Sequence, residues 1–196
     1  MIGTRVKRNG VIGPIEAAMI EATSHPDISQ GGSDGWCSPR EVTEPMAEFF
    51  GGSCDVDPCS NESSIVKAKV AYTFGGLHLP WKLPNKRRGP NTVYQNDPYS
   101  KATAWTVKMV RELHDNVDEL IRLSMASTST AWWRMGCFKP KRNPRIIFTK
   151  RLKFIGPESK VGMTARFEPV LWYYGPRVKQ FDRAFRHLES WSTWGR

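Results

Sequence analysis

Cysteine is scarce in this chain: 196 residues contain four, Cys37, Cys54, Cys59 and Cys137. So few at this length exclude a disulfide framework and predict reduced thiols in a cytoplasm. Cys54 and Cys59 are separated by four residues, His78 stands apart, and no second pair follows. That pattern lacks the spacing of a zinc site, and nothing near Cys59 in sequence supplies the base a cysteine nucleophile requires. Long hydrophobic runs are missing too. None approaches the ~20 residues of a membrane span, and the opening "MIGTRVKRNGVIGPIEAAMIEATSHPD" lacks the apolar core of a secretion signal. The expectation is a cytoplasmic protein with no membrane partner. No internal repeat is visible.

Acidic residues are outnumbered as well, 19 against 29 Lys plus Arg, for a net charge of +10 and a pI near 9.7. The excess is concentrated. "KPKRNPRIIFTKRLKF" carries Lys139, Lys141, Arg142, Arg145, Lys150, Arg151 and Lys153 with no acid, and "LPNKRRGPN" adds Lys86, Arg87 and Arg88. Basic clusters interleaved with Phe and Ile suit a polyanion, because phosphate contacts supply most of the non-specific affinity for nucleic acid. A composition of 39% apolar and 24% charged residues otherwise describes a globular chain of about one domain.

Residues 1–34 read as an N-terminal extension, with a short helix in "GPIEAAMIEATSH" and a glycine-rich linker, "SQGGSDG"; residues 35–196 read as the domain. In "SPREVTEPMAEFFGG" Ser38 can cap a helix, Pro39 suits its first position and Gly51-Gly52 ends it. A short strand around Cys54–Val56 is expected to stop at Asp57-Pro58, and a second, Thr92–Gln95, at Asn96-Asp97-Pro98. "SKATAWTVKMVRELHDN" has the apolar spacing of an amphipathic helix, and "HDNVDE" reads as its solvated end. "DELIRLSM", two pieces around a turn in "RIIFTKRLKFIG", and "FEPVLWYYG" read as strands, "TSTAWWRMGCF" as a loop or short helix and "RVKQFDRAFRHLESW" as a closing helix. Strand, helix, strand, helix, strand is the order of an open α/β sheet, whose ligands sit beyond the carboxyl ends of its strands. The tips Asp57-Pro58-Cys59 and Asn96-Asp97-Pro98-Tyr99 would then be neighbours if their strands are.

An amide beside an aromatic ring can hold a planar base. Asn96 can accept a proton of an exocyclic amine, the Asp97 carbonyl a second, and Tyr99 can stack on the ring. No general base is required, since the proton can leave after the nitrogen has attacked. A duplex would have to release the base from its stack.

Several blocks in order resemble the phage-encoded DNA N6-adenine methyltransferases of the Dam type. They are "WCSPREV", "CDVDPCSNES", "GGLHLPW", "VYQNDPYSKATAW", "LSMASTSTAWW", "KRLKF" and "FEPVLW", spanning Trp36 to Gly175. The resemblance implies a Rossmann-like, S-adenosylmethionine-dependent α/β sheet with helices on both faces, and double-stranded DNA as substrate. It implies Asn96, Asp97, Pro98 and Tyr99 at the target base, and Asp57, Pro58 and Cys59 along the cofactor with Ser38 and Pro39 near its methionine end. Lys150, Arg151 and Lys153, with the rest of the basic run, would face DNA. It also implies a host bacterial cytoplasm and a role in shielding phage DNA from restriction. The chain departs from the pattern at Asp97 and Gly75, where the family carries proline and aspartate, and at Met125, Ser129 and Lys150. The Asp97 carboxylate is expected to enter the amine pocket. The alternatives are a DNA-binding relative without cofactor chemistry, and methylation of cytosine N4.

Overall fold

The computed structural model describes residues 32–83, 85–86, 88–137, 143–148, 150–156, 161–164, 168–188 and 190–193. The helix expected in residues 1–31, together with Lys139, Lys141 and Arg142, lies outside them. Seven strands form one sheet: β1 (Cys54–Asp57), β2 (Ala68–Ala71), β3 (Thr92–Gln95), β4 (Glu119–Met125), β5 (Arg145–Phe148), β8 (Pro169–Tyr174) and β9 (Ser190–Thr193). Their order is β2-β1-β3-β4-β8-β5-β9, and β6 (Lys153–Ile155) pairs with β7 (Val161–Thr164) in a separate ribbon. β2, β1, β3 and β4 are parallel; β8 runs against both β4 and β5, and β9 against β5. Among the described residues four α-helices accompany them: α1 (Arg40–Phe49), α2 (Ala102–Asp115), α3 (Ala131–Cys137) and α4 (Val178–Phe185). The α/β sheet with helices on both faces is therefore the architecture observed.

Side chains alternate across the sheet with the period of two that an extended chain imposes. Tyr94, Ile121, Leu123, Leu171 and Tyr173 pack with Val42, Met46 and Phe49 of α1 and Phe181 and Phe185 of α4. Val93, Leu120, Val170 and Trp172 face the other way, onto Trp105 and Met109 of α2 and Trp132 and Trp133 of α3. With both faces covered, β1, β3 and β8 are buried along their whole length, as expected of strands inside an α/β sandwich. The tryptophans are mostly core. Trp81 and Trp105 stack at 6.1 Å, and Trp133 meets Trp172 edge-on at 4.9 Å.

Local structure corrects the sequence reading in several places. α1 continues through Pro45, and Pro39 is its N-cap rather than its first residue, with no side-chain cap bond. The hydroxyl of Ser38 instead accepts from Tyr94 at 2.7 Å. The helix does end at its glycines, where Gly51 N donates to Glu48 O and Gly52 N to Ala47 O, the bond pair of a Schellman motif. β2, β7 and β9 were not foreseen. The two pieces of "RIIFTKRLKFIG" belong to different sheets, and the last helix stops at Phe185 before β9. Glu119 is not part of a solvated helix end. It is 2% exposed, accepting from Tyr173 Oη (2.6 Å) and Arg177 Nε (2.8 Å). Among the described residues no helix is long and apolar enough to cross a membrane.

Candidate active site

β1 and β3 are parallel neighbours, paired at Val56 and Val93. Their carboxyl ends, Asp57-Pro58-Cys59 and Asn96-Asp97-Pro98-Tyr99, consequently share one edge of the sheet. The chain leaves β3 through Asn96 to Pro98, turns once as a 3-10 helix (Tyr99–Lys101) and enters α2. Polar residues at the tips break the strands, while the apolar period of α2 pulls the chain back onto the sheet.

A third segment crosses this edge. Gly32–Gly35, within the stretch read as a linker, forms a 3-10 turn. Its Asp34 carboxylate accepts from the backbone N–H and the hydroxyl of Ser100. Two residues later the Trp36 carbonyl accepts from Asn96 Nδ2 at 3.2 Å. Asn61, beyond the β1 tip, donates through Nδ2 to Gly35 O (3.2 Å) and accepts from Cys37 Sγ (3.0 Å). Residues 34–38 thus join both tips. The Trp36 bond also fixes which way the Asn96 amide faces. One of its Nδ2 hydrogens is used within the protein, and Oδ1 accepts no hydrogen bond among the described residues.

Asp97 differs from its sequence expectation. Its carboxylate does not enter the amine pocket; it is 3% exposed and gripped by Arg122 of β4 through Nε–Oδ1 and Nη2–Oδ2 contacts of 2.8 Å each. Arg122 is itself 1% exposed. Burial alone would favour its neutral form, but the Asp97 charge overcomes this and holds the guanidinium protonated. Gln95 Nε2 donates to Asp97 Oδ1 at 3.2 Å, while Gln95 Oε1 is buried without a partner among the described residues. Tyr99 is half-buried, and its phenol is pushed up, first by burial and then by the Asp97 charge. Tyr99 therefore offers a neutral ring rather than a base.

At the β1 tip, Asp57 is 3% exposed and its Oδ1 accepts from Cys59 N at 3.0 Å. Burial outweighs this bond and those from Ser60 and Ser64, raising its pKa to about 7. Ser38 and Pro39 are buried beside Tyr94, whose phenol is raised by burial and also senses the Asp57 charge. Pro58 is covered by the loop that follows β2. A Cβ on Gly76 would lie 1.9 Å from the Pro58 carbonyl oxygen, so only glycine permits this approach. The preceding Gly75 has a φ of 79°, a conformation that disfavours an aspartate.

β5 points toward the same edge, since it runs parallel to β4 across the intervening β8. Lys150, Arg151 and Lys153 follow it and are exposed. Ile155 then forms a two-bond bridge with Cys37 (2.8 and 2.9 Å), setting this basic segment against the strap that touches Asn96. Arg145 is placed differently, half-buried with its guanidinium 5.3 Å from the Trp172 ring centroid. The second basic run leads into the amino end of β3, at the opposite edge. Its Lys86 is paired with Asp55.

The residues that sequence reasoning missed are Trp36 and Asn61, whose backbone and amide contacts carry no signature, and Arg122. A lone arginine inside an apolar strand was the available signal for the last, since such a charge needs a buried partner. No curated protein matches the chain. The model of the DNA N-6-adenine-methyltransferase (Dam) family matches residues 26–180, and the chain belongs to that family.

Proposed function

We propose that this protein transfers a methyl group from S-adenosylmethionine to the exocyclic N6 of adenine in double-stranded DNA. Family membership implies adenine methylation of DNA. The observation that carries the finer reading is the Asn96 amide, oriented by its bond to the Trp36 carbonyl so that its acceptor oxygen is left to engage a ligand. An exocyclic amine offers two N–H donors. Asn96 Oδ1 would take one and the Asp97 carbonyl the other, with the Tyr99 ring against the base. Both acceptors stabilise the positive charge that grows on nitrogen as it attacks, which makes the effect specific to the transition state. The proton then departs to solvent, so no base is needed at the turn. That fits a Tyr99 phenol held neutral.

The cofactor, when bound, supplies an electrophilic methyl on a sulfonium. The residues present fit such a group. The β1 tip and the amine turn lie side by side, and Gln95 Oε1, next to the turn, is a buried acceptor without a donor among the described residues. Ser38, Pro39, Asp57, Pro58 and Cys59 would hold it. Asn96, Asp97, Pro98 and Tyr99 would form the base pocket, while Lys150, Arg151 and Lys153, with Lys139, Lys141, Arg142 and Arg145 flanking them, would contact phosphate. A host cytoplasm and protection of phage DNA from restriction belong to the same proposal.

The test is calorimetric titration of S-adenosylmethionine into the protein, with and without adenine-containing duplex. Micromolar binding is expected in both. Failure of the cofactor to bind while DNA still binds would reject the reading in favour of a DNA-binding relative without cofactor chemistry.

A further inference from the structure

The Asp97–Arg122 pair has no evident purpose in packing, because two apolar side chains would fill the same space without the cost of burying charge. Its location suggests another role. Asp97 is the residue whose carbonyl faces the amine in the reading above, and its backbone lacks the ring that would fix φ in a proline. A bidentate guanidinium grips both carboxylate oxygens in one plane and so constrains the side-chain torsions back to Cα. The clamp is itself immobilised. Arg122 sits directly across from Gln95 in the β3–β4 register, its Cζ lies 5.2 Å from the Trp132 ring centroid of α3, and Nη1 reaches Met109 Sδ of α2 at 4.0 Å. Gln95 adds a third donor to the same carboxylate.

We propose that Arg122 is a positioning residue for methyl transfer. By holding both oxygens of Asp97 it keeps the carboxylate out of the amine pocket and fixes the backbone carbonyl that takes the amine's second proton. Arg122 touches neither base nor cofactor; it acts through Asp97. The proposal rests on the reading of the Asn96 turn as the amine site, and extends it to the strand and helices behind that turn.

The test compares the full-length protein with Arg122→Lys and with the double variant Asp97→Pro/Arg122→Met. Lysine keeps the charge but loses the fork. The double variant removes both charges together and replaces the clamp by a ring. In Arg122→Lys we expect kcat to fall about tenfold or more, with the KM for S-adenosylmethionine close to wild type and the thermal midpoint lowered by the lost bidentate contact. Hydrogen exchange at the Asn96 and Tyr99 amides should accelerate. In the double variant kcat and the protection of those two amides should recover toward wild type. Wild-type kcat and exchange in Arg122→Lys would overturn the proposal, as would a double variant as impaired as the single one. If the wild-type protein transfers no methyl group, the reading of the site fails, and the exchange measurements still decide the clamp. Protection lost in Arg122→Lys and regained in the double variant upholds it, and unchanged protection refutes it.

Discussion

The two ends of the central sheet differ in how completely their buried polar groups are satisfied. At the amino end every buried carboxylate is saturated. Asp55 accepts from Thr92 N and Oγ1, from Lys69 at 2.8 Å and from Lys86, and these partners hold its pKa down at about 2 against the pull of burial. Glu119 takes Tyr173 and Arg177, and Arg177 also donates to the Phe49 carbonyl at 3.0 Å and lies 4.2 Å from the Phe49 ring centroid. At the carboxyl end Asp97 is paired with Arg122, but around that pair bonds are left unmade. Gln95 Oε1 is buried without a donor among the described residues, the half-buried Asn96 makes only its Nδ2 bond to the Trp36 carbonyl there, and Asp57 is pushed up to about 7. Saturated networks fix a fold, whereas unmatched acceptors at the end of a strand await a ligand. The same sheet is closed at one end and left receptive at the other.

Glu119→Ala should give the largest effect. It strands Arg177 and the Tyr173 hydroxyl at the closed end and should cost about 3 kcal/mol of stability, visible as a lower midpoint in chemical denaturation. Cofactor affinity of the molecules that remain folded should not change. If affinity fell in parallel, the two ends would not be separable.

Titration separates the ends next. Asp57 is raised in the folded state, so between about pH 4 and 7 the native protein binds a proton that the unfolded chain does not. Its contribution is therefore fully present below the unfolded pKa and is lost as pH rises to 7. Asp55 is depressed, so its contribution is present above about pH 4 and is lost as pH falls toward 2. Stability measured against pH should decline on both sides. Asp57→Asn should flatten only the neutral side, and Asp55→Asn only the acid side. Exchange of these two behaviours would invalidate the assignment of the ends.

The smallest effect sharpens the comparison at the surface. Replacing Lys150, Arg151 and Lys153 by alanine should leave thermal stability within about 0.5 kcal/mol. The salt dependence of DNA binding should become shallower by about one unit of slope for each phosphate that is no longer neutralised. Arg88→Ala, in the exposed part of the run before β3, should leave that slope unchanged. An equal change from Arg88 would place DNA at both ends.

Much of this arrangement was legible in sequence, for physical reasons. Thr92–Gln95 is a strand bounded by a proline turn, and its predicted limits are those observed. Gly51 and Gly52 stop α1 as their positions require. The juxtaposition of the two tips was expected only if their strands were neighbours, and the sheet supplies that condition. What escaped notice was non-local or weakly patterned. β2 reads Ala-Lys-Val-Ala on a half-covered edge, where alternation over four residues is barely a signal. Asp97 and Arg122 are separated by 25 positions, and only folding shows that the carboxylate turns inward. Asp34 looked like the end of a linker, and Trp36 gave no sign of its contact, because their bonds to the Asn96 turn span 60 residues or more.

The most direct test of the receptive end is a product analysis. Wild-type protein and Asn96→Ala are incubated with methyl-labelled S-adenosylmethionine and duplex DNA, and the digested nucleosides are separated. The account predicts N6-methyladenine from the wild type and a loss of about 100-fold or more in the variant, with both proteins equally folded and both binding cofactor. Label in cytosine, no label from a wild-type protein that binds cofactor and DNA, or full activity in Asn96→Ala would contradict it.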